Sequence, residues 1–258
     1  MRDDRARLPL SMIYTIIPAF NEEESLLSLI PALGEVFLKI REDFSLLVVN
    51  DGSRDRTGDV SRSFAGRYPV EVVTHDVNRG VGSVFRTGIQ EVCKTAADGD
   101  VVIIIEGDRT CDPLLIPQMV SRIRDGFDVV IASRYRRGGG YAGFPLKRLI
   151  FSYAANYLFR LLFPIPGTRD YTIFYRGYRA ATLREALHQY RERFIECSTF
   201  VANAEMLIKL RRFGIRVAEI PMIYCYDLKQ GKSKLPVKAT LLEYASFIGR
   251  TVVRRNAW

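Results

Sequence analysis

The most constraining stretch of this 258-residue chain is VVIIIEGDRTCDP, residues 101–113. Residues 101–105 are all apolar and β-branched, which is typical of a strand that is buried on both faces of a parallel sheet. Glu106, Gly107 and Asp108 follow at the carboxyl end of this strand, where open α/β sheets bind their ligands. Two carboxylates on either side of a glycine suit the binding of a divalent cation that coordinates a diphosphate. The alternative interpretation is an acidic turn at the strand end that is exposed to solvent.

The segments on both sides of this strand alternate between β and α patterns. Helix-like stretches separate short strand-like runs, which cover residues 12–17, 46–49, 70–74 and 129–132. In the first helix, Asn21 and Glu24 have the spacing of a capping box, and Pro31 is expected to interrupt the helix. Asp112 and Pro113 mark the start of a later helix. The alternation predicts an α/β fold in which helices flank a mostly parallel central sheet.

The pattern changes after the glycine run at 138–140. Residues 198–213 predict a further helix, and residues 217–221 predict a short strand. Residues 145–163 combine aromatic with basic side chains, and residues 241–252 carry one apolar stripe. Both stretches predict C-terminal amphipathic helices that lie on an interface, with packed core helices as the alternative. No apolar run reaches the roughly 20 residues that a membrane-spanning helix needs, so we expect a soluble or peripheral protein.

Basic residues are concentrated in the second half of the chain. The net charge is +9, no acidic residue occurs between Val129 and Arg169, and Glu243 is the only acid from Lys229 to Trp258. This asymmetry predicts an anionic partner, which a nucleic acid, a phosphorylated substrate or an anionic membrane surface would provide. The four cysteines show no CxxC spacing and the chain has two histidines, so we expect free thiols in a reducing compartment and no zinc site.

Several segments together resemble those of one enzyme family. In chain order they are IIPAFNEEESL, VVNDGSRDRTGDV, NRGVGSVFRTGI, IEGDRTCDP, ASRY and QGKSKL. The set resembles the inverting family 2 glycosyltransferases of GT-A fold, and within them the dolichol-phosphate and polyprenyl-phosphate sugar synthases. The resemblance covers roughly residues 13–235 of the chain. It implies that residues 1–258 form a single GT-A catalytic domain, with a nucleotide-sugar-binding half at about 10–135 and an acceptor-binding, membrane-facing half at about 136–258.

The resemblance assigns the donor, a UDP- or GDP-linked sugar, to the first half. Glu106 and Asp108 match the family's Asp-x-Asp and would hold Mg²⁺ or Mn²⁺, although the glutamate departs from the family pattern. The nucleotide-binding positions that the resemblance implies are Pro18, Ala19, Phe20, Glu22, Asp51, Gly80 and Gly107.

The acceptor that the resemblance implies is a polyprenyl or dolichyl phosphate, whose oxygen is already anionic near neutral pH. Such an acceptor needs cations to hold it and no general base. Leu228 stands where the family usually carries arginine, so Lys229 is a candidate substitute, and Asp170 is expected to support the site. The predicted acceptor-phosphate contacts are Ser133, Arg134, Arg148, Ser233 and Lys234, and the predicted catalytic set is Asp108, Arg134 and Lys234.

For the whole protein we expect a cytoplasmic enzyme that is peripheral on the cytoplasmic face of an anionic membrane. We expect no nucleic-acid partner and leave the oligomeric state open. A GT-A enzyme that acts on a hydroxyl acceptor is one alternative, and it would need a general base, with Glu196 or Glu205 as the candidate. A nucleic-acid-binding protein would depend on the basic charge alone. A non-catalytic nucleotide-sugar binder is the third alternative, if Glu106 and Leu228 mark lost activity.

Overall fold

The central sheet brings the carboxyl ends of its parallel strands to one edge. The computed structural model describes residues 11–229 and 237–253. Within these residues the strands are β1 Ile13–Ala19, β2 Phe44–Asn50, β3 Val70–Thr74, β4 Val101–Ile104, β5 Val129–Ser133, β6 Gly140–Ala142, β7 Arg176–Arg179, β8 Val217–Pro221 and β9 Ile223–Cys225. Strands β6 and β9 form a separate parallel pair, and the others form one seven-stranded sheet.

The strand order of the large sheet is β3-β2-β1-β4-β7-β5-β8. The pairs β1–β2, β1–β4, β2–β3 and β5–β8 are parallel, and β7 runs antiparallel to both β4 and β5. The mostly parallel α/β sheet is therefore confirmed. Strand β7 was not predicted, because its sequence RGYR is short and lacks an apolar run, yet Arg176 is fully buried in it.

The helices lie between the strands and cover the sheet. Helix α3 packs on β1 and β2, and α4 packs on β5 and β7. A short 3₁₀ turn precedes α4, and the Asp112 carboxylate accepts from the Leu114 N–H at 3.0 Å, which confirms the predicted helix start. The helices are α1 Glu23–Ile40, α2 Thr57–Ser63, α3 Val81–Thr95, α4 Ile116–Arg124, α5 Leu146–Leu162, α6 Ala180–Tyr190, α7 Ala202–Leu210 and α8 Val237–Val253.

The start of α1 differs from the predicted capping box. Glu22 is the N-cap residue and makes no side-chain cap hydrogen bond, while the Asn21 side chain accepts from the Arg54 N–H at 2.8 Å. The helix is 18 residues long and runs through Pro31 without a break, so the predicted interruption is wrong. Tertiary packing outweighs local preference here, because α1 buries Leu29, Leu33 and other apolar side chains along its length.

Helices α5 and α8 carry large apolar side chains that remain exposed. They pack against each other through Phe159, whose ring lies 5.4 Å from Tyr244 and 6.4 Å from Phe247. Within the described residues, no helix combines the length and the apolarity needed to cross a bilayer. The exposed apolar residues of the two helices are Leu146, Ile150, Phe151, Tyr153, Tyr157, Leu158, Leu161, Leu241, Leu242 and Val252.

Two leucines of α1 provide a matched test of this packing. Leu29 is 0% exposed and Leu27 is 55% exposed. We expect Leu29→Ala to lower the free energy of unfolding by about 2–5 kcal/mol, because the surrounding core cannot fill the cavity it leaves. Leu27→Ala should change it by less than about 0.5 kcal/mol, since surface substitutions usually do. Urea denaturation of both variants measures the difference, and equal losses would contradict the packing described for α1.

Candidate active site

A cavity of about 960 Å³ opens at the carboxyl ends of the parallel strands. It is lined by residues from both halves of the chain. Every predicted nucleotide-binding residue lines it, as do both carboxylates and both predicted arginines: Pro18, Ala19, Phe20, Glu22, Asp51, Gly80, Glu106, Gly107, Asp108, Arg134 and Arg148. Ser233 and Lys234 lie outside the described residues.

Glu106 and Asp108 form one end of the cavity, and Thr110 connects them. The Thr110 hydroxyl lies 3.2 Å from Oε2 of Glu106 and 2.5 Å from Oδ1 of Asp108. The Tyr224 hydroxyl donates to Glu106 at 2.9 Å. Burial, together with the neighbouring Asp108 carboxylate, raises the pKa of Glu106 to about 7.

A Cβ at Gly107 would lie 2.6 Å from the Pro18 carbonyl oxygen, so β1 and the end of β4 approach closely only with glycine there.

Lys229 pairs with the Asp108 carboxylate from the opposite side of the cavity. Burial alone would lower the pKa of Lys229, but the Asp108 charge and hydrogen bond raise it above its ordinary value. The neighbouring Leu228 is exposed. In the sequence, Lys229 was a candidate only because it follows Leu228, which stands where the family usually carries arginine. In the structure, its ammonium group contacts Asp108, a predicted metal ligand.

The two carboxylates suit a hard divalent cation. Glu106 and Asp108 offer oxygen ligands, which Mg²⁺ and Mn²⁺ prefer, and a diphosphate and water would complete the coordination. Within the described part of the chain, no group of three or more His, Cys, Asp or Glu side chains forms a ready-made metal site. A cation would therefore be shared between these residues and a ligand. The ammonium group of Lys229 would compete with this cation for the Asp108 carboxylate.

Asp51 organises a loop on the neighbouring side of the cavity. Its Oδ1 accepts from the Arg79 N–H and its Oδ2 from the Gly80 N–H, both at 2.9 Å. The His75 Nδ1 lies 2.7 Å from Oδ1, and the His75 Nε2 lies 2.9 Å from the Thr87 hydroxyl. Asp51 thus holds residues 78–82, the end of the loop before α3 together with the first two residues of that helix, which we call the 78–82 loop; Gly80 in it has a positive φ of 84°. His75 was not singled out by the sequence, because a lone histidine carries no motif.

Arg134 lines the cavity and is held by Asp170 and Thr172. Its Nε and Nη2 donate to the two oxygens of Asp170 at 2.8 and 2.7 Å, and Nη2 also donates to Thr172 at 2.7 Å. Burial would raise the pKa of Asp170, but the Arg134 guanidinium holds it below its ordinary value. The guanidinium carbon lies 5.9 Å from the ring centre of Tyr224, the residue that binds Glu106. Asp170 is therefore placed to hold Arg134 in position.

Other predicted residues take different positions. Arg148, on α5, donates to the Tyr226 hydroxyl at 3.1 Å and lines the cavity. Ser133 is fully buried, accepts from the Tyr135 N–H at 3.2 Å, and does not line the cavity, so it supports the backbone beside Arg134. Glu196 and Glu205 both pair with Lys209, and neither lines the cavity.

Much of the remaining cavity lining is apolar and comes largely from α5 and α8, and we call this part the apolar arm. Phe174 and Phe200 contribute to it from outside the two helices, and the polar residues Ser152, Thr172, Ser198, Thr199 and Thr240 also line the cavity. The residues of the apolar arm are Phe151, Ala154, Ala155, Leu158, Phe159, Phe174, Phe200, Leu241, Tyr244, Ala245 and Ile248. One continuous cavity therefore joins an acidic end, two arginines and an apolar arm.

The comparisons with known proteins agree with this fold. The sheet and the acidic strand end define an α/β enzyme of GT-A fold. The model of the family described as Glycosyl transferase family 2 matches residues 14–188. The chain belongs to glycosyl transferase family 2, and its class is that of the glycosyltransferases.

Two relatives are similar over most of this chain. A dolichol-phosphate mannosyltransferase of Pyrococcus furiosus is 30% identical over 238 residues, which are 92% of this chain and 63% of that protein. An undecaprenyl-phosphate mannosyltransferase of Micrococcus luteus is 29% identical over 247 residues, which are 95% of this chain and 93% of that protein. The chain thus spans less than two thirds of the first relative and nearly all of the second.

Among solved structures, the fold is shared with glucosyl-3-phosphoglycerate synthase of Mycobacterium tuberculosis. Its complex with Mn²⁺, UDP and glucosyl-3-phosphoglycerate has a TM-score of 0.63 and 18% identity, over 95% of this chain and 80% of that chain. Another structure of the same synthase contains Mg²⁺ and UDP, again with a TM-score of 0.63. At this identity the similarity establishes the fold.

Substitution of Lys229 tests whether its ammonium group competes for a cation position. Lys229→Met removes the charge that pairs with Asp108. We expect the affinity for Mn²⁺ to rise by about tenfold, because like-charge repulsion from one neighbouring cation is of this size. Isothermal titration calorimetry with Mn²⁺ measures the change. Lys94→Met is the control, since Lys94 pairs with Glu91 at 2.6 Å and does not line the cavity. An unchanged or weaker affinity in Lys229→Met would contradict the competition.

Proposed function

We propose that this protein transfers a sugar from a UDP- or GDP-linked donor to a polyprenyl or dolichyl phosphate, with Mg²⁺ or Mn²⁺ as cofactor. The observation that carries the proposal is the single cavity that joins Glu106 and Asp108 to Arg134, Arg148 and an apolar arm. A nucleotide sugar and a lipid phosphate need these features together. The names of the two mannosyltransferase relatives support the same acceptor class.

The acidic end of the cavity suits the leaving group. Glu106 and Asp108 would hold a divalent cation, which offsets the negative charge that develops on the departing nucleoside diphosphate. The 78–82 loop lines the cavity through residues 78–81 and is held in place by Asp51. Gly107 keeps the turn narrow enough for β1 and β4 to share this end. Pro18, Ala19, Phe20 and Glu22 would complete the nucleotide-binding surface.

The arginines suit an acceptor that is already an anion. A phosphate oxygen can attack the sugar carbon without losing a proton to a base, and the required contribution is to hold two anions close together. Arg134 and Arg148 line the same cavity as the two carboxylates and the apolar arm, and Ser233 and Lys234 are proposed to join them at the acceptor phosphate. A hydroxyl acceptor would need a base, but Glu196 and Glu205 are held by Lys209 outside the cavity.

The exposed faces of α5 and α8 suit an anionic bilayer surface. Apolar side chains such as Leu161 and Leu242 are exposed, while Arg160, Lys238 and Arg250 on the same helices are exposed cations. Apolar side chains that enter the headgroup region and cations that meet anionic lipids act together in peripheral binding. We place the enzyme on the cytoplasmic face of the membrane, where the apolar arm would receive the lipid chain.

The proposed sugar transfer can be tested by measuring turnover with and without the Asp108 carboxylate. We expect radiolabelled sugar to move from UDP- or GDP-sugars to undecaprenyl phosphate in the presence of Mn²⁺, and chelation by EDTA to abolish the transfer. Asp108→Ala should lower turnover by at least about 10³-fold, the loss typical when a group that stabilises transition-state charge is removed. Asp59→Ala, on the exposed surface of α2, is the control and should keep parental turnover.

Two results would redirect the proposal. Transfer to free sugars or glycans, with none to the lipid phosphate, would favour the hydroxyl-acceptor alternative. Binding to duplex DNA that weakens steeply with salt, without any sugar transfer, would favour the nucleic-acid alternative.

Membrane binding is tested with Leu242, which is 73% exposed on α8. Leu242→Glu replaces an apolar contact with a charge that anionic lipids repel. We expect binding to phosphatidylglycerol vesicles to weaken by roughly ten- to a hundredfold, because burying a leucine contributes about 1.5–3 kcal/mol. Vesicle sedimentation measures the change. Leu38→Glu is the control, since Leu38 is 62% exposed but lies on α1. Equal binding of the two variants would rule out α8 as a docking helix.

A further inference from the structure

Glu243 interrupts the basic C-terminal stretch, and its carboxylate binds Ser198 and Thr199 from α8. Oε1 lies 2.9 Å from the Ser198 nitrogen and 3.1 Å from the Ser198 hydroxyl. Oε2 lies 2.9 Å from the Thr199 nitrogen and 2.6 Å from the Thr199 hydroxyl. Burial would raise the pKa of Glu243, but these hydrogen bonds lower it below its ordinary value. The charged carboxylate therefore fastens α8 to the segment at residues 197–199.

The 197–199 segment in turn covers the 78–82 loop. The Ser198 carbonyl accepts from the Gly82 N–H at 3.1 Å. A Cβ at Gly80 would lie 2.5 Å from the same carbonyl oxygen, and a Cβ at Gly82 would lie 1.8 Å from the Cys197 carbonyl oxygen. Because the two backbones touch this closely, a shift of the 197–199 segment must displace the loop or break its hydrogen bond.

The 78–82 loop is thus held from two sides. Asp51, at the end of β2, accepts from the Arg79 and Gly80 N–H groups. On the other side, the Ser198 carbonyl holds Gly82 and is itself positioned by Glu243. The first contact belongs to the nucleotide-binding half, and the second depends on where α8 lies.

Helix α8 takes part in both proposed binding events. Leu241 and Tyr244 line the apolar arm, Leu242 is exposed toward the proposed bilayer, and Glu243 holds the 197–199 segment. Neighbouring residues on one helix therefore face the acceptor, the membrane and the nucleotide-binding half. If a lipid surface fixes the position of α8, the contacts of Glu243 with the 197–199 segment also fix the position of the 78–82 loop.

We propose that Glu243 is a positioning residue that couples lipid binding by α8 to nucleotide binding at the 78–82 loop. The inference depends on the proposed function, because it assigns a lipid surface to α8 and a nucleoside diphosphate to the loop. Since such coupling is reciprocal, a bound lipid surface strengthens nucleotide binding, and a bound nucleotide strengthens binding to the lipid surface by the same factor.

The experiment compares nucleotide affinity with and without a lipid surface. The probe is UDP or GDP, whichever belongs to the donor that supports transfer, titrated in Mn²⁺ into the full-length protein by calorimetry. Phosphatidylglycerol vesicles that contain undecaprenyl phosphate are present in one series and absent in the other. For the unaltered protein we expect the vesicles to tighten nucleotide binding by about fivefold or more, within the usual range of coupling between sites.

Two substitutions of Glu243 separate positioning from general support of the fold. Glu243→Ala should bring the ratio of the two affinities to about one while vesicle binding persists through the apolar face of α8. Glu243→Gln keeps one acceptor oxygen and should give an intermediate ratio, and it also carries the test if the alanine variant fails to fold. Glu35→Ala, on the exposed surface of α1, should keep the full ratio.

The outcomes distinguish the inference from the proposed function. A purely structural role would weaken nucleotide binding equally in both series and leave the ratio intact, and this result would overturn the coupling. A ratio of one in the unaltered protein, with sugar transfer present, would overturn the coupling but not the function. Failure of every nucleotide sugar to support transfer would overturn both.

Discussion

The arrangement of the cavity depends on the ion pair between Arg134 and Asp170. Both side chains are buried, and two hydrogen bonds join them at 2.7 and 2.8 Å. Removing one partner of such a pair costs about 3–5 kcal/mol, because the other is left as an uncompensated buried charge. The pair links the end of β5 to the segment before β7, the antiparallel strand between β4 and β5. It therefore fixes the position of a guanidinium that lines the cavity.

The charges that line the cavity are already compensated, which bears on the two anions proposed to bind there. Asp108 is paired with Lys229, Arg134 with Asp170, and the Asp51 carboxylate is occupied by N–H groups of the 78–82 loop. None of these charges is left without a counter-charge or a hydrogen bond. A cation-bound diphosphate and a lipid phosphate would each exchange existing contacts for new ones, which is less costly than entering a site of bare charges.

Much of the fold was predictable, and the failures have identifiable causes. Strands β1 to β5 and β8 are mostly apolar, so their composition and length located them. Strand β7 was missed because RGYR shows no apolar pattern, and its place in the sheet comes from the gap between β4 and β5. The capping box and the interruption at Pro31 were wrong because packing of α1 outweighed both local signals. Ser133 was predicted as a ligand contact from its position beside Arg134; it is fully buried and does not line the cavity, and its contact with an acceptor phosphate stays a prediction.

The sequence by itself determined the parallel sheet and the acidic strand end at Glu106 to Asp108, because these follow from local patterns of a few adjacent residues. It also determined the basic second half, because that is a matter of composition. Only the tertiary structure decided which charges meet. Lys229 pairs with Asp108 across 121 positions, and Glu243 binds Thr199 across 44. Side chains so far apart in the chain share no periodicity, so their contact follows from how helices and strands pack rather than from any local preference.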